Sequence, residues 1–180
     1  KGCGLVVLPS VPRNAEGIRR TGLRMPPTQR RDPGVISAMA SVANGMQVVP
    51  SGRSRNEQIM PGTLRLLELK SGQRILDLAC GQGILTRKLA ESGADAVGVD
   101  VSEKLIDAAR RWAKAAARPA RFEVGDARAI DPAKFGEFDG VACVMALMNI
   151  DPILPLMRGV AGVLKQGGRF VMVILDRCIA

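Results

Sequence analysis

The sequence predicts a doubly wound α/β fold with a mainly parallel sheet, and three observations support this prediction. From Arg74 onward, short apolar runs alternate with amphipathic segments, as in parallel strands joined by crossover helices. A glycine turn, Gly81-Gln82-Gly83, separates the first apolar run from the segment after it. Carboxylates lie in or directly after three successive runs. With 180 residues, of which 47% are hydrophobic, the chain can bury a sizeable core.

The elements are predicted from apolar spacing and from residues that favour element ends. Five apolar runs are predicted strands: 74–79, 96–100, 121–125, 138–146 and 169–175. Four segments with helical spacing are predicted helices: 59–69, 84–91, 102–117 and 151–164. Helix starts or turns are marked by Pro61, Ser102, Asp151 and Gln166–Gly168. Trp112 shares a helix face with Leu105 and Ala109, so it is predicted to pack in the core.

The first 55 residues differ from the rest in composition. They are rich in Pro, Gly, Arg and Ser, and residues 1–56 hold nine Lys or Arg against two acids. The prolines prevent long helices, and only residues 35–49 are predicted to form one short helix. We therefore predict a basic, poorly ordered leader over residues 1–55 and a folded domain over 56–180. The leader has no aromatic residue for base stacking, so nucleic acid is a less favoured partner.

Composition argues against metal and membrane sites. The chain has no histidine, and its four cysteines are far apart, so no metal site is predicted. The longest strongly apolar run, Phe170–Leu175, is far shorter than the roughly 20 residues that cross a bilayer. We expect a cytoplasmic protein without a membrane partner.

The glycine turn lies where open parallel sheets bind their ligands, beyond the carboxyl ends of the strands. Glycine lets the backbone approach a ligand closely, and helix N-terminal amides favour anionic groups. The dinucleotide fingerprint G-x-G-x-x-G is incomplete, because Thr86 stands in place of the third glycine. A nicotinamide dehydrogenase is therefore disfavoured.

Three carboxylates refine the prediction. Asp77 lies inside an apolar strand, where its charge is costly unless paired. A cationic ligand would explain it, although a structural Asp that bonds the loop backbone is the alternative. Asp100 ends the next strand and can accept two ribose hydroxyls, and Asp126 can accept an amino group such as that of adenine. Three acids at three successive strand ends are hard to ascribe to chance.

From about Asn56 to Arg177, the chain resembles the class I S-adenosylmethionine-dependent methyltransferases of the small single-domain type. The resemblance rests on five segments: ILDLACGQG, VGVDVSEKLIDAAR, FEVGDARAI, FDGVACVMALMNIDP and VLKQGGRFVMVI. It implies a Rossmann-like sheet, S-adenosyl-L-methionine as cofactor, and helix 59–69 lying over the cofactor. The cofactor-binding residues that it implies are Asp77, Ala79, Cys80, Gly81, Gly83, Asp100, Val101, Asp126, Ala127 and Ala146.

The resemblance assigns each group of residues a part of the cofactor and leaves the catalytic residues unknown. Asp77 and the glycine turn would surround the methionine moiety, Asp100 the ribose, Asp126 with Ala127 the adenine, and the backbone near Ala146 the sulfonium. Asn149 or Asp151 would be placed to orient an acceptor. We expect methyl transfer to a small-molecule acceptor. The alternatives are an inactive, cofactor-binding relative and an RNA methyltransferase that uses the basic leader.

The family's sheet continues past its fifth strand through a helix and a reversed pair of strands. The sequence shows none of these after residue 175, so we predict a truncated fold whose C-terminal strands are missing. The strand at 169–175 would then have an open edge, which a second copy of the chain would cover in a homo-oligomer.

Overall fold

The computed structural model describes residues 3–9, 46–49, 55–114 and 119–175. The strands are β1 Cys3–Pro9, β2 Met46–Val49, β3 Arg74–Leu78, β4 Asp95–Asp100, β5 Arg121–Val124, β6 Phe138–Val144 and β7 Leu164–Leu175. The helices are α1 Arg55–Leu67, α2 Ile84–Glu91, α3 Glu103–Ala113, α4 Pro132–Phe135 and α5 Ile153–Val163. Two single 3-10 turns cover Ala127–Ala129 and Leu147–Asn149.

All of these strands form one sheet in the order β2-β1-β7-β6-β3-β4-β5. The five strands from β3 to β7 are parallel, which confirms the predicted α/β architecture. The predicted turn Gln166–Gly168 falls within β7, where the pairing with β6 is irregular. None of the helices in the described part of the chain is long and apolar enough to cross a bilayer.

The edge of β7 that we predicted to be open is covered by the chain's own N-terminal strands. β1 runs antiparallel to β7, from Cys3 opposite Leu175 to Pro9 opposite Arg169, and β2 pairs antiparallel with β1. The predicted helix 35–49 therefore contains a strand at its end, and its residues 35–45 lie outside the described residues. The prediction of a poorly ordered leader rested on its prolines. The valine-rich run at Leu5–Leu8, however, suits pairing with an available strand edge.

Alternate residues of β3 face two cores, one on each side of the sheet. Leu76 and Leu78 pack on the side of α5, whereas Ile75 packs on the side of α2 and α3. Because side chains alternate along a strand, Asp77 lies on the same side as Ile75, where α2 brings Thr86 against it. Burial on both faces explains why this strand is apolar except at Asp77.

The core prediction for Trp112 is wrong. The face of α3 toward the sheet consists of Ile106, Ala109 and Ala113, and Trp112 is 66% exposed. The guanidinium of Arg87 lies 5.9 Å from the centroid of the Trp112 ring. The observed face shares Ala109 with the predicted one and is otherwise displaced by one residue around the helix, so that the small Ala113 and not the bulky Trp112 faces the sheet.

Two predicted helix starts also shift. α1 begins at Arg55, so Pro61 lies inside the helix and not in its first turn. The N-cap of α5 is Pro152, and no side chain caps this helix. Asp151 instead contributes its backbone carbonyl, which accepts a hydrogen bond of 2.7 Å from the Nη1 atom of Arg128.

Candidate functional site

A cavity of about 630 Å³ opens at the carboxyl ends of β3 and β6. Among the described residues that line it, Asp77 alone is acidic. The other lining residues come from α1, the glycine turn, the start of α2 and the end of β6: Ile59, Met60, Ala79, Cys80, Gly81, Gln82, Ile84, Leu85, Val144 and Met145. The cavity therefore combines apolar walls with the exposed backbone of a tight turn.

The glycine turn is held by its own geometry and by packing. Gly81 and Gly83 have φ angles of 57° and 70°, in the left-handed region that favours glycine. A Cβ atom on Gly83 would lie 2.3 Å from the ring of Phe122, whereas one on Gly81 would meet nothing within 4 Å. Ala79 and Met145, at the ends of β3 and β6, also have positive φ angles, of 54° and 59°. Left-handed backbone at non-glycine residues is costly and is often found at functional sites.

Asp77 forms the charged floor of the cavity. It is only 2% exposed, and the Oγ1 atom of Thr86 donates a hydrogen bond of 2.6 Å to its Oδ2 atom. Burial raises the pKa of the Asp77 carboxyl to about 7, partly offset by the Thr86 hydrogen bond. Burial and the nearby Asp77 charge also raise the pKa of the Cys80 thiol, which therefore stays protonated.

Asp100 connects the end of β4 to the glycine turn. Its Oδ2 atom accepts a hydrogen bond of 2.8 Å from the backbone N–H of Gly81, and its Oδ1 atom one of 2.9 Å from that of Ser102. A carboxylate offers about four acceptor positions, so each oxygen of Asp100 can accept one more hydrogen bond.

Asp126 follows β5, and its carboxylate is held by Arg128. The backbone N–H of Arg128 donates to Oδ1 at 2.8 Å, and its Nη2 atom donates to Oδ2 at 2.7 Å. The Nε atom lies within 3.1 Å of both oxygens. These hydrogen bonds from Arg128 lower the pKa of the Asp126 carboxyl.

Helix α1 covers the cavity from the side of β7. Ile59 packs with Val173, and Met60 and Met145 lie against the same small cluster. At the other end of the helix, the guanidinium of Arg169 forms an ion pair of 2.5 Å with Glu68. Helix α1 thus lies where the helix 59–69 was predicted, and it contributes Ile59 and Met60 to the cavity lining.

Residues 75–168 match the family model described as a methyltransferase domain. This match covers more than half of the chain and includes the carboxyl ends of β3, β4, β5 and β6. The chain belongs to this methyltransferase family.

Curated relatives of this chain include two ubiquinone biosynthesis O-methyltransferases. The protein from Methylococcus capsulatus is 31% identical over 61% of this chain and 46% of its own length. The protein from Thiobacillus denitrificans is 31% identical over 67% of this chain and 53% of its own length. The chain thus spans about half the length of these relatives.

Two solved structures superpose on more than half of the chain. A Pyrococcus horikoshii protein is 34% identical and superposes with a TM-score of 0.62, covering 70% of this chain and 59% of that one. An S-adenosylmethionine dependent methyltransferase from Mesorhizobium loti is 30% identical, with a TM-score of 0.54 over 62% of this chain and 50% of its own.

The predicted site residues of this chain divide into three groups. Those that line the cavity are Asp77, Ala79, Cys80 and Gly81. Those that lie beside it are Gly83, Asp100 and Ala146. Gly83 belongs to the glycine turn, Asp100 accepts the hydrogen bond from Gly81, and Ala146 directly follows Met145. Those at the neighbouring strand ends and outside the cavity lining are Val101, Asp126 and Ala127.

The prediction missed the apolar walls of the cavity. Ile84, Leu85, Val144 and Met145 were assigned only to helix or strand, because an apolar residue at an element end looks the same whether it faces a core or a ligand. The only usable signal was position, because these residues flank the glycine turn or end the strand beside it.

Proposed function

We propose that this chain binds S-adenosyl-L-methionine in the cavity beside the glycine turn and transfers its methyl group to a small-molecule acceptor. Membership of the methyltransferase family identifies the cofactor. The observation that supports binding at this place is Asp77, a carboxylate only 2% exposed on the floor of a cavity with apolar side walls. Its charge is costly there unless a cation arrives to pair with it.

The residues present fit the cofactor. Asp77 would pair with the ammonium of the methionine moiety, which favours the ionised carboxylate. Asp100 has an unused acceptor position on each oxygen among its described contacts, and it would accept the ribose hydroxyls. The positive φ angles of Gly81 and Gly83 bring backbone, in place of side chains, to the cavity wall.

The cofactor supplies a methyl group already activated on a sulfonium. The task of the protein is then to hold the acceptor in line with that methyl group and to keep water out. Ile59 and Met60 of α1 form the wall that would exclude water. With no histidine in the chain, we assign no catalytic base, and the acceptor would bring its own nucleophilic atom.

The class of acceptor atom is part of the proposal. Two relatives are named as O-methyltransferases of ubiquinone biosynthesis, which supports an oxygen nucleophile on a small organic molecule. A cytoplasmic location and assembly into a homo-oligomer stay predictions.

Calorimetric titration of two ligands tests the proposed role of Asp77. S-adenosylhomocysteine carries the amino-acid moiety, and 5′-deoxy-5′-methylthioadenosine lacks it. Asp77→Asn should weaken S-adenosylhomocysteine binding about tenfold, the effect of losing a charged hydrogen bond, and leave the second ligand nearly unchanged. Asp100→Asn should weaken both ligands, because both contain the ribose.

A methyl-transfer assay with labelled cofactor and a panel of small phenols then tests the activity. Binding without transfer to any acceptor would favour the alternative of an inactive, cofactor-binding relative. No binding of either ligand to the unmodified chain would reject the cofactor assignment.

A further inference from the structure

The carboxylates at the ends of β4 and β5 differ in how much capacity they have for a ligand. Asp100 uses two acceptor positions for backbone N–H groups, one on each oxygen. Asp126 receives four hydrogen-bond contacts, all from Arg128 and two on each oxygen. Three N–H groups of Arg128 supply these contacts, because the single Nε hydrogen is shared between both oxygens. Since a carboxylate has about four acceptor positions, Arg128 occupies most of the capacity of Asp126, and an amino group would have to compete with it.

Arg128 is also anchored on a second element. Its Nη1 atom donates a hydrogen bond of 2.7 Å to the backbone carbonyl of Asp151, in the loop that precedes α5. The guanidinium therefore bridges the end of β5 and the loop that follows β6. Both segments lie at the carboxyl edge of the sheet, where the cavity opens.

The backbone around Arg128 is fixed, and its side chain is the part that can move. Ala127 and Ile130 are 8% and 6% exposed, and Ile130 lies close to Gly159 of α5, where an added Cβ would come within 3.1 Å. The Arg128 side chain is 44% exposed. Because the pair is exposed, water can take over the hydrogen bonds of the guanidinium when a ligand displaces it into solvent.

We propose that Arg128 is a specificity-determining residue that competes with the cofactor's nucleobase for the Asp126 carboxylate. This inference rests on the proposed function. While the pair is closed, the site presents guanidinium N–H donors to a base, and an adenine amino group finds most acceptor positions of Asp126 already occupied. When Arg128 swings away, Asp126 accepts the amino group. Arg128 thereby weakens the preference for adenine over a base that carries an oxygen in place of that amino group.

The test compares S-adenosylhomocysteine with S-inosylhomocysteine, in which a carbonyl oxygen replaces the amino group and N1 of the base carries a hydrogen. Dissociation constants are measured by calorimetry for the unmodified chain, Arg128→Ala and Arg128→Lys. Arg121→Ala is the matched control, because Arg121 forms a similar exposed pair, with Asp95, at the opposite end of β5. Arg128→Ala should raise the preference for the adenosyl compound about fivefold, by freeing one acceptor, and Arg121→Ala should leave it unchanged.

Ionic strength provides a second measurement. Salt screens an exposed ion pair, so the unmodified chain should bind S-adenosylhomocysteine more tightly as salt rises, and Arg128→Ala should lose this dependence. Arg128→Lys keeps the charge without the two-oxygen geometry, so its preference for the adenosyl compound should lie between those of the unmodified chain and Arg128→Ala. It also serves as the second variant if Arg128→Ala does not fold. An unchanged adenosyl-to-inosyl ratio in both variants, or equal weakening of both ligands, would overturn the proposal. Failure of the unmodified chain to bind either ligand would instead reject the proposed function.

Discussion

The buried Asp77 carboxyl destabilises the ligand-free fold near neutral pH, and a cationic ligand would remove this effect. Burial raises the pKa of its carboxyl from 3.8 to about 7, so the folded state holds the proton more tightly than the unfolded state does. The contribution of Asp77 to stability therefore falls as the pH rises from 3.8 to about 7, and it stays low above that pH. Near neutral pH, the ligand-free protein carries a partly ionised acid in its core.

Asp77→Asn is expected to stabilise the ligand-free protein at pH 8 by up to about 4 kcal/mol, since each unit of pKa shift corresponds to about 1.4 kcal/mol. The gain should shrink toward pH 5, where the folded protein holds the proton. Urea unfolding at both pH values measures it, with the exposed Asp107→Asn as a control expected to change stability by less than about 0.5 kcal/mol. Destabilisation by Asp77→Asn at pH 8 would instead indicate a structural role for the charge.

The two glycines of the turn are expected to respond differently to alanine. Both have positive φ angles, so each substitution carries a backbone cost of about 1 kcal/mol. At Gly83 the new Cβ would also overlap the Phe122 ring, and overpacking adds about 1–3 kcal/mol. Chemical denaturation should therefore rank Gly83→Ala as clearly less stable than Gly81→Ala, which has open space. Equal losses would mean that the ring of Phe122 moves aside freely.

At the scale of elements, α2 connects the cavity to the chain's single tryptophan. An Arg87 nitrogen donates a hydrogen bond of 2.6 Å to the backbone carbonyl of Gln82, which lines the cavity, and its guanidinium lies over Trp112 of α3. A ligand that shifts the glycine turn should therefore change the environment of the indole.

Titration with S-adenosylhomocysteine is expected to change Trp112 fluorescence, because a cation above the ring is moved or fixed. Arg87→Ala should remove most of this change and leave the calorimetric dissociation constant within about twofold, since surface substitutions are usually small in effect. The neighbouring Lys88→Ala, which pairs with Glu91, is the control and should keep the signal. The same fluorescence change in Arg87→Ala would show that the signal does not pass through Arg87.

The sequence predicted elements better than the contacts between them. All five parallel strands and α2 were predicted, because periodicity and glycine turns act locally. β1 was missed because its partner, β7, is remote in the chain. The carboxylates at strand ends were predictable from position alone. Two sets of hydrogen bonds were not predictable, from Thr86 to Asp77 and from Arg128 to Asp126. They depend on side-chain conformations that sequence patterns do not specify.

At the scale of the whole molecule, β1 is an internal strand of the sheet over Cys3–Val6, with β7 on one side and β2 on the other. Each backbone N–H in this stretch faces one of two neighbouring strands. Val6→Pro is thus expected to cost about 2 kcal/mol, from a lost hydrogen bond and an unpaired carbonyl. Val6→Thr keeps the N–H and the β-propensity, and thermal unfolding should show it near the unmodified chain. Unchanged stability of Val6→Pro would support the original prediction of a poorly ordered leader.

The pairing of β1 with β7 also sets an order of events during synthesis. β1 is translated before β7, and the other described strands lie between them in the chain. Contacts between such distant parts of a chain form slowly, because a long loop must close before they are made. β1 must therefore wait for β7, and in that interval its unpaired backbone groups remain available to the wrong partner.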